Sequence, residues 1–296
     1  EDVAAQEIAT KPIAASKIGS DITTVAGAIA HIDRGGALSQ ISPDILQQAL
    51  AKSSKIKREK ISASRFLLTA ENGDKYIEKS DAKKFEAISQ MFASQVQQHL
   101  GLEAPNVIFV GSGDSRRYLV EDAETTVKGG RVNEDAVFRS APWQEVSRLF
   151  ISDILTDVQN RNPGSIEIAE SNKKTKIIPM TNDGAGLIDL SNISITERTE
   201  QDVKDFLTVT NQQIYKKYYD ELKAQQRAQA FQFLATLIQR ARQFSFSNFK
   251  SRLYSDSKLS SGEKIHLNIL EKLYDNRLQQ LVSSNESYSG IVSGPK

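Results

Sequence analysis

The 296 residues contain no cysteine, which removes disulfides and thiolate metal sites from consideration. It leaves the compartment open, since reducing and oxidising locations both tolerate that absence. No apolar run approaches the ~20 residues of a membrane-spanning helix, so no span is expected and the chain reads as soluble. An excess of charge of one sign is also missing: 38 basic against 37 acidic residues leave +1, without a global pull towards nucleic acid or an anionic membrane. Histidine is scarce, and its three copies, His31, His99 and His266, lie far apart. His99 falls beside the apolar stripe of a helix, the place of an edge histidine rather than a ligand. There is no His-Glu-x-x-His, no Walker loop and no Gly-x-Ser-x-Gly, so no metal site and none of those chemistries is expected.

What the chain does have is pattern. Trp143, Val146, Phe150 and Ile154 recur at helical spacing and Leu155 widens the stripe to core width, which predicts a buried helix over 143–158. Asn160-Arg161-Asn162-Pro163-Gly164-Ser165 cannot continue it, and short apolar runs at Ile166–Ile168 and Ile177–Ile178 follow. The stretch reads as helix, loop, hairpin, loop. Asp153 and Asp157, one turn apart near the end of that helix, could bind a metal, but local capping or pairing is the plainer reading.

Upstream, Arg65–Leu68 and Lys75–Lys79 flank Glu71-Asn72-Gly73-Asp74, whose Asn-Gly predicts a tight hairpin turn. Phe85, Ile88, Phe92, Val96 and Leu100 mark one face of a helix that stops at Gly101, and Val107–Val110 and Tyr118–Val120 are further strands. Downstream the pattern is helical. Val203, Phe206, Leu207, Ile214 and Tyr218 begin one run, Ala230 to Ala241 a second, and Ile265 to Leu281 a third. Tyr215, Tyr218 and Tyr219 fit core or rim packing better than an aromatic binding surface.

Residues 1–60 carry little core material and read as an N-terminal arm, with a short helix starting at Ser42-Pro43-Asp44. The five cations of Lys52–Lys60 read as a solvated linker, because no aromatic is interleaved and Glu59 interrupts them. The first residue is Glu1, as expected of a processed product or a trimmed chain. The tail from Ser283 to Lys296 has linker composition.

The Trp143–Leu190 stretch resembles the phosphatidylinositol 3- and 4-kinases and the HipA toxin kinases. In those families the helix leads into Asp-Arg-His-x-x-Asn, whose Asp is the catalytic base and whose Asn binds magnesium, and a hairpin then presents a second metal-binding Asp before a Gly. The matching positions here are Asn160 for the base and Ser165 for the amide ligand. The second metal position falls on Asn182, with Asp183 one residue late before Gly184. Lys79 stands where the family's phosphate-reaching Lys would be, and Glu86 where its positioning Glu would be, so the two are expected to pair. Gly101-Leu102-x-x-Pro105 also fits the resemblance, and Tyr118 to Asp122 would lie at the hinge between lobes. The resemblance implies an α+β, two-lobed, protein-kinase-like fold: arm 1–60, strand-rich N-lobe 61–126, mostly helical C-lobe 127–285 and tail 286–296.

Asn160 cannot accept a hydroxyl proton, and Ser165 and Asn182 are poor substitutes for magnesium ligands. The resemblance therefore implies a pseudokinase with a vestigial nucleotide site at Lys79 and Glu86 and no catalytic residue or cofactor. The expected role is a structural or interaction module, with protein partners engaged through the arm and tail in an oligomer or larger assembly such as a virion, or else in the cytoplasm. No specific nucleic-acid partner is expected. The alternative is a phosphotransferase or nucleotidyltransferase of altered chemistry, using ATP and magnesium through Lys79, Asp157 and Asp183.

Overall fold

The computed structural model describes residues 22–63, 65–80, 85–112, 116–122, 141–158, 166–171, 174–179, 211–256 and 259–283. In chain order these give α1 (Val25–Ile32), a 3-10 turn (Leu38–Gln40), α2 (Pro43–Lys52), β1 (Lys57–Ser62), β2 (Arg65–Thr69), β3 (Lys75–Ser80), α3 (Glu86–Leu100), β4 (Val107–Val110) and β5 (Arg117–Glu121). They continue with α4 (Trp143–Thr156), β6 (Ile166–Ser171), β7 (Lys174–Pro179), α5 (Asn211–Glu221), α6 (Ala224–Ala241), α7 (Phe246–Asp256) and α8 (Ser261–Ser283). The fold class is the expected one, α+β: an antiparallel sheet first and a mostly helical part after it.

The sheet runs β1-β2-β3-β5-β4, all neighbours antiparallel. Its hairpin turns where Asn72-Gly73 predicted, with Gly73 at φ 91° and the Asp74 amide donating to Asn72 Oδ1 at 3.0 Å. Strand alternation gives the sheet two buried faces. Leu68, Tyr76, Ile108, Val110 and Leu119 pack against α1 and α2, while Phe109, Tyr118 and Val120 join the large core formed with α3, α4 and the later helices.

The first face changes the reading of the N-terminal segment. Ala28, Ile32, Leu38, Ile41, Leu46 and Ala49 are buried against the sheet, so residues 22–52 are a layer of the fold rather than an arm; residues 1–21 lie outside the described residues. The apolar residues of this layer are spread over two short helices and the loop between them, so no single stretch shows a long stripe. Lys57–Lys60, read as the end of a solvated linker, instead belong to β1 (Lys57–Ser62). All six of its residues are exposed, so the strand is held by its ladder to β2 and carries no burial alternation.

On the second face the expected stripe of α3 is in place: Ile88, Phe92, Val96 and Leu100 are fully buried. Phe85 precedes the helix instead of starting it, at φ 70°, and its ring stacks on His266 at 5.0 Å. α3 ends at Gly101 with φ 95°, the left-handed terminus glycine accommodates. Val146, Phe150, Ile154 and Leu155 of α4 are buried, and Trp143 meets Phe233 edge-on at 5.6 Å. Phe92 sits among Phe244, Phe246, Phe249 and Tyr274, with centroids 5.4 to 6.5 Å away. Tyr215, Tyr218 and Tyr219 are core residues, as their spacing suggested. Residues 203–207 lie outside the described residues.

Candidate functional site

Lys79 is placed by register. It pairs across the ladder with Tyr118 of β5, so both side chains share the sheet face turned towards the helices, and Lys79 Nζ stands 5.9 Å from the Tyr118 ring centroid. The lysine is 9% exposed, which is low for a cation on a strand. Its chain neighbour Glu78 projects to the opposite face, where the buried carboxylate accepts from Arg58 Nε at 2.8 Å and also pairs with Arg117. Glu86 opens the first turn of α3. The expected Lys79–Glu86 ion pair is not among the ion pairs of the described residues.

Asn160, Ser165, Asn182 and Asp183 lie outside the described residues, and so do residues 81–84. The elements that lead to them are described. α4 closes at Asp157, a non-glycine residue at φ 54°, and Val158 after it is buried. β6 and β7 form the expected hairpin, with Ile166 opposite Pro179 and Ile168 opposite Ile177. The hairpin is tied back to α4 by the Ile177 amide, which donates to Glu145 Oε2 at 3.1 Å.

Among the described residues, Asp153 and Asp157 find partners on other helices. Asp157 accepts from Arg277 Nη2 of α8 at 2.8 Å, both side chains being about as buried as the core around them. Asp153 accepts from the Tyr215 hydroxyl at 2.6 Å. Tyr219 and Ser147 hydroxyls are 2.8 Å apart, and the Tyr218 hydroxyl donates to the Ala141 carbonyl at 2.5 Å. Burial pushes Tyr218 up to about 12 and raises Tyr219 as well, so both hydroxyls keep their protons at any ordinary pH.

α8 supplies partners that sequence reasoning missed. Near its start the buried Glu263 pairs with the buried Arg116 at the head of β5, and Arg116 lies 4.8 Å over the Phe109 ring. One turn on, His266 Nε2 meets the Ser89 hydroxyl of α3 at 2.9 Å. Burial lowers the pKa of His266 to about 4, because the charged ring would lose its water. Further along, Tyr274 donates to the Ala241 carbonyl at 2.8 Å, and Arg277 reaches Asp157. Positions 263, 266, 270, 274 and 277 form one helical stripe. The available signal was the presence of Glu263, His266 and Arg277 on the same face as Leu270 and Leu281.

Among the described residues no group of three or more His, Asp or Glu could hold a metal ion, and no helix is long and apolar enough to cross a membrane. No protein-family model matches the sequence, and no match is found among curated proteins. Solved structures do resemble it. The Helicobacter pylori proinflammatory kinase CtkA matches at TM-score 0.48 and 12% identity, over 79% of this chain and 95% of that one. HipA of Shewanella oneidensis MR-1, from a toxin–antitoxin complex with HipB and operator DNA, matches at TM-score 0.38 and 10% identity, over 78% and 67%.

Proposed function

We propose that this chain is a catalytically inactive kinase-like protein, used as a structural or interaction module with protein partners in a larger assembly such as a virion. Lys79 and Glu86 are then a vestige of a nucleotide site. Lys79 at the centre of the sheet, α3 directly after β3, and a long buried helix leading into the Asn160 loop are the parts on which the kinase likeness rests.

The reading is carried by the surroundings of Asp157. Phosphoryl transfer needs a group that accepts the hydroxyl proton and carboxylates that hold magnesium. The loop after α4 has Asn160 at the base position, so a substitute acid would have to come from nearby. Asp157 is the nearest carboxylate before the loop, and its oxygen is bonded to Arg277 inside the helical core. Asp153 is equally buried, against Tyr215. A carboxylate enclosed in this way serves packing and register, and neither acid supports the reading in which Asp157 binds a magnesium nucleotide.

Incubating the purified protein with labelled ATP and magnesium or manganese tests this. The expected result is no transfer to the protein, to casein or to phosphoinositide vesicles. Transfer that disappears in Lys79→Ala and Asp183→Ala would establish the phosphotransferase instead. Partner binding through the ends is tested separately, by removing residues 1–21 and 284–296 and measuring mass in solution; loss of higher-order species supports the assembly role.

A further inference from the structure

The five-stranded sheet has two edges, and the fold treats them differently. β4, at one end, is four residues long, largely buried and packed against α2 and α3, and the Gly111 amide just past it donates to the Pro43 carbonyl at 2.8 Å. β1, at the other end, pairs with β2 on its inner side, and all six of its residues are exposed. Its outer row of backbone amides and carbonyls has no strand beside it among the described residues. An open row of that kind is a template on which a further strand can form. Ile61, 55% exposed, is the extra residue between the Lys60–Phe66 and Ser62–Arg65 pairs, so the regular part of the edge is Lys57 to Lys60.

What can be added there is set by charge. β1 and β2 together carry Lys57, Arg58, Lys60 and Arg65 against the single carboxylate Glu59, a net +3 in a chain whose total is +1. Register puts Arg58 and Lys60 on the sheet face of Leu68 and Phe66, and Lys57 and Glu59 on the other. Arg58 is engaged: its Nε donates to Glu78 at 2.8 Å, and its guanidinium lies 3.7 Å over the Phe66 ring. The side chains of Lys57 and Lys60 have neither an ion pair nor a hydrogen bond among the described residues, which leaves one unpaired cation on each face of the edge. A second copy of the chain is a poor occupant. Two-fold antiparallel pairing centred on Glu59 sets that residue against itself and Arg58 against Lys60 twice, and centring on Arg58 sets the arginine against itself. Like charges directly opposite destabilise a strand pair.

We propose that β1 is a docking edge for an extended acidic segment of a partner protein, which adds to the sheet as a sixth strand with carboxylates opposite Lys57 and Lys60. Those lysines are three residues apart and point to opposite faces, so the segment recognised carries acids at positions i and i+3. Main-chain bonds to the open edge attract any extended chain, and the two ion pairs select among chains. Exposed ion pairs are individually weak and screened by salt, so recognition needs both and fades as ionic strength rises. The surface acts in this way whether or not the chain transfers phosphate.

The probe is a dye-labelled synthetic peptide, Thr-Val-Glu-Thr-Val-Glu-Val-Thr with blocked ends, titrated into the full chain by fluorescence anisotropy, with hydrogen exchange of the β1 amides measured alongside. Saturable binding that slows exchange within residues 57–62 is expected, and exchanging both Glu of the peptide for Lys should abolish it. Pro placed in turn at the central Thr and the central Val keeps the peptide's charge. Successive amides alternate sides, so one of the two Pro peptides lacks a donor to β1 and should bind roughly tenfold more weakly. Lys57→Glu with Lys60→Glu should weaken binding by roughly tenfold or more at an unchanged Tm, since both side chains are exposed. If that variant does not fold, Lys57→Gln with Lys60→Gln decides in the same direction. The proposal is overturned by no saturable binding to the wild type, by undiminished binding of both Pro peptides or of the lysine variants, or by protection confined to residues outside β1. A single-stranded oligonucleotide that binds the same lysines more tightly than the peptide overturns it too, and assigns the edge to nucleic acid.

Discussion

Removing Arg277 leaves a carboxylate inside the core, and this is the sharpest test of the packing around α4. Arg277 and Asp157 are 5% and 4% exposed in their side chains and meet at 2.8 Å across 120 residues of sequence. An intact buried pair contributes little net, because desolvating two ions offsets their attraction, but breaking it by removing one partner costs about 3–5 kcal/mol. Arg277→Met, which keeps the length and apolar stem, should therefore destabilise by about 3–5 kcal/mol. At about 2–4 °C per kcal/mol that is a Tm loss of about 6–20 °C. Asp157→Asn should cost less, since asparagine tolerates the left-handed conformation at φ 54° and leaves a neutral group in place. The double variant should recover much of the Arg277→Met loss. Urea unfolding of the four proteins closes the cycle, with a coupling of about 1–3 kcal/mol for residues in contact. A cost below about 1 kcal/mol for Arg277→Met, the value of an exposed pair, would refute the buried geometry.

Phe92→Ala should cost about 3–5 kcal/mol in urea unfolding, since the ring is fully buried among four aromatic neighbours; a loss under 1 kcal/mol would place it elsewhere. His266, lowered to about 4 from an ordinary 6.5, is protonated more readily in the unfolded chain. Its contribution is complete above pH 6.5 and is lost as pH falls towards 4, about 3 kcal/mol in all. His266→Gln should flatten the stability profile across that window, and an unchanged slope would assign the acid loss to other groups. Deleting residues 1–60 removes α1, α2 and β1 and uncovers Leu68, Tyr76, Val110 and Leu119, so the product should be insoluble or lose cooperative unfolding; a soluble, cooperatively folding product would return this segment to the status of an arm.

Local signals were legible in the sequence and long-range ones were not. Asn72-Gly73 fixed a hairpin because only a few residues tolerate positive φ at a tight turn, and Gly101 ended α3 for the same reason. The stripes of α3 and α4 were readable because each is one-sided. The start of α2 was legible at Ser42-Pro43-Asp44, but α1 buries only Ala28 and Ile32 and every residue of β1 is exposed, so periodicity had little to register in those two. The Asp157–Arg277 and Arg116–Glu263 pairs join residues more than a hundred positions apart, and no local spacing encodes such a partner. At the candidate site the sequence supplied the order Lys79, α3, α4 and hairpin. It supplied too Asn160, Ser165 and Asn182 as the residues standing where the resemblance expects a base and metal ligands; these lie outside the described residues.

On the proposed reading, the polar side chains of α4 are what keeps the frame in register while the chemistry is absent. Glu145 bonds β7, Ser147 and Asp153 bond α5, and Asp157 bonds α8. Apolar contacts alone would let those elements slide by a turn at small cost, whereas a buried hydrogen bond left unmade costs about 1–3 kcal/mol, so each bond selects one register. Two of them stand beside the segments that hold the degenerate positions: Asp157 immediately before the loop of Asn160, and Ile177 at the end of β7 before Asn182. The backbone leading into both segments is thereby fixed by hydrogen bonds inside the core. Selection for a rigid surface would preserve Asp157, Arg277 and Glu145 while leaving Asn160, Ser165 and Asn182 free to change. Selection for turnover would act on the second group first. Introducing the residues that the kinases of the resemblance carry, by Asn160→Asp, Ser165→Asn and Asn182→Asp, separates the two. A frame kept only for shape should fold with an unchanged Tm and show no ATP transfer, and transfer appearing in that triple variant would show that the site is otherwise complete.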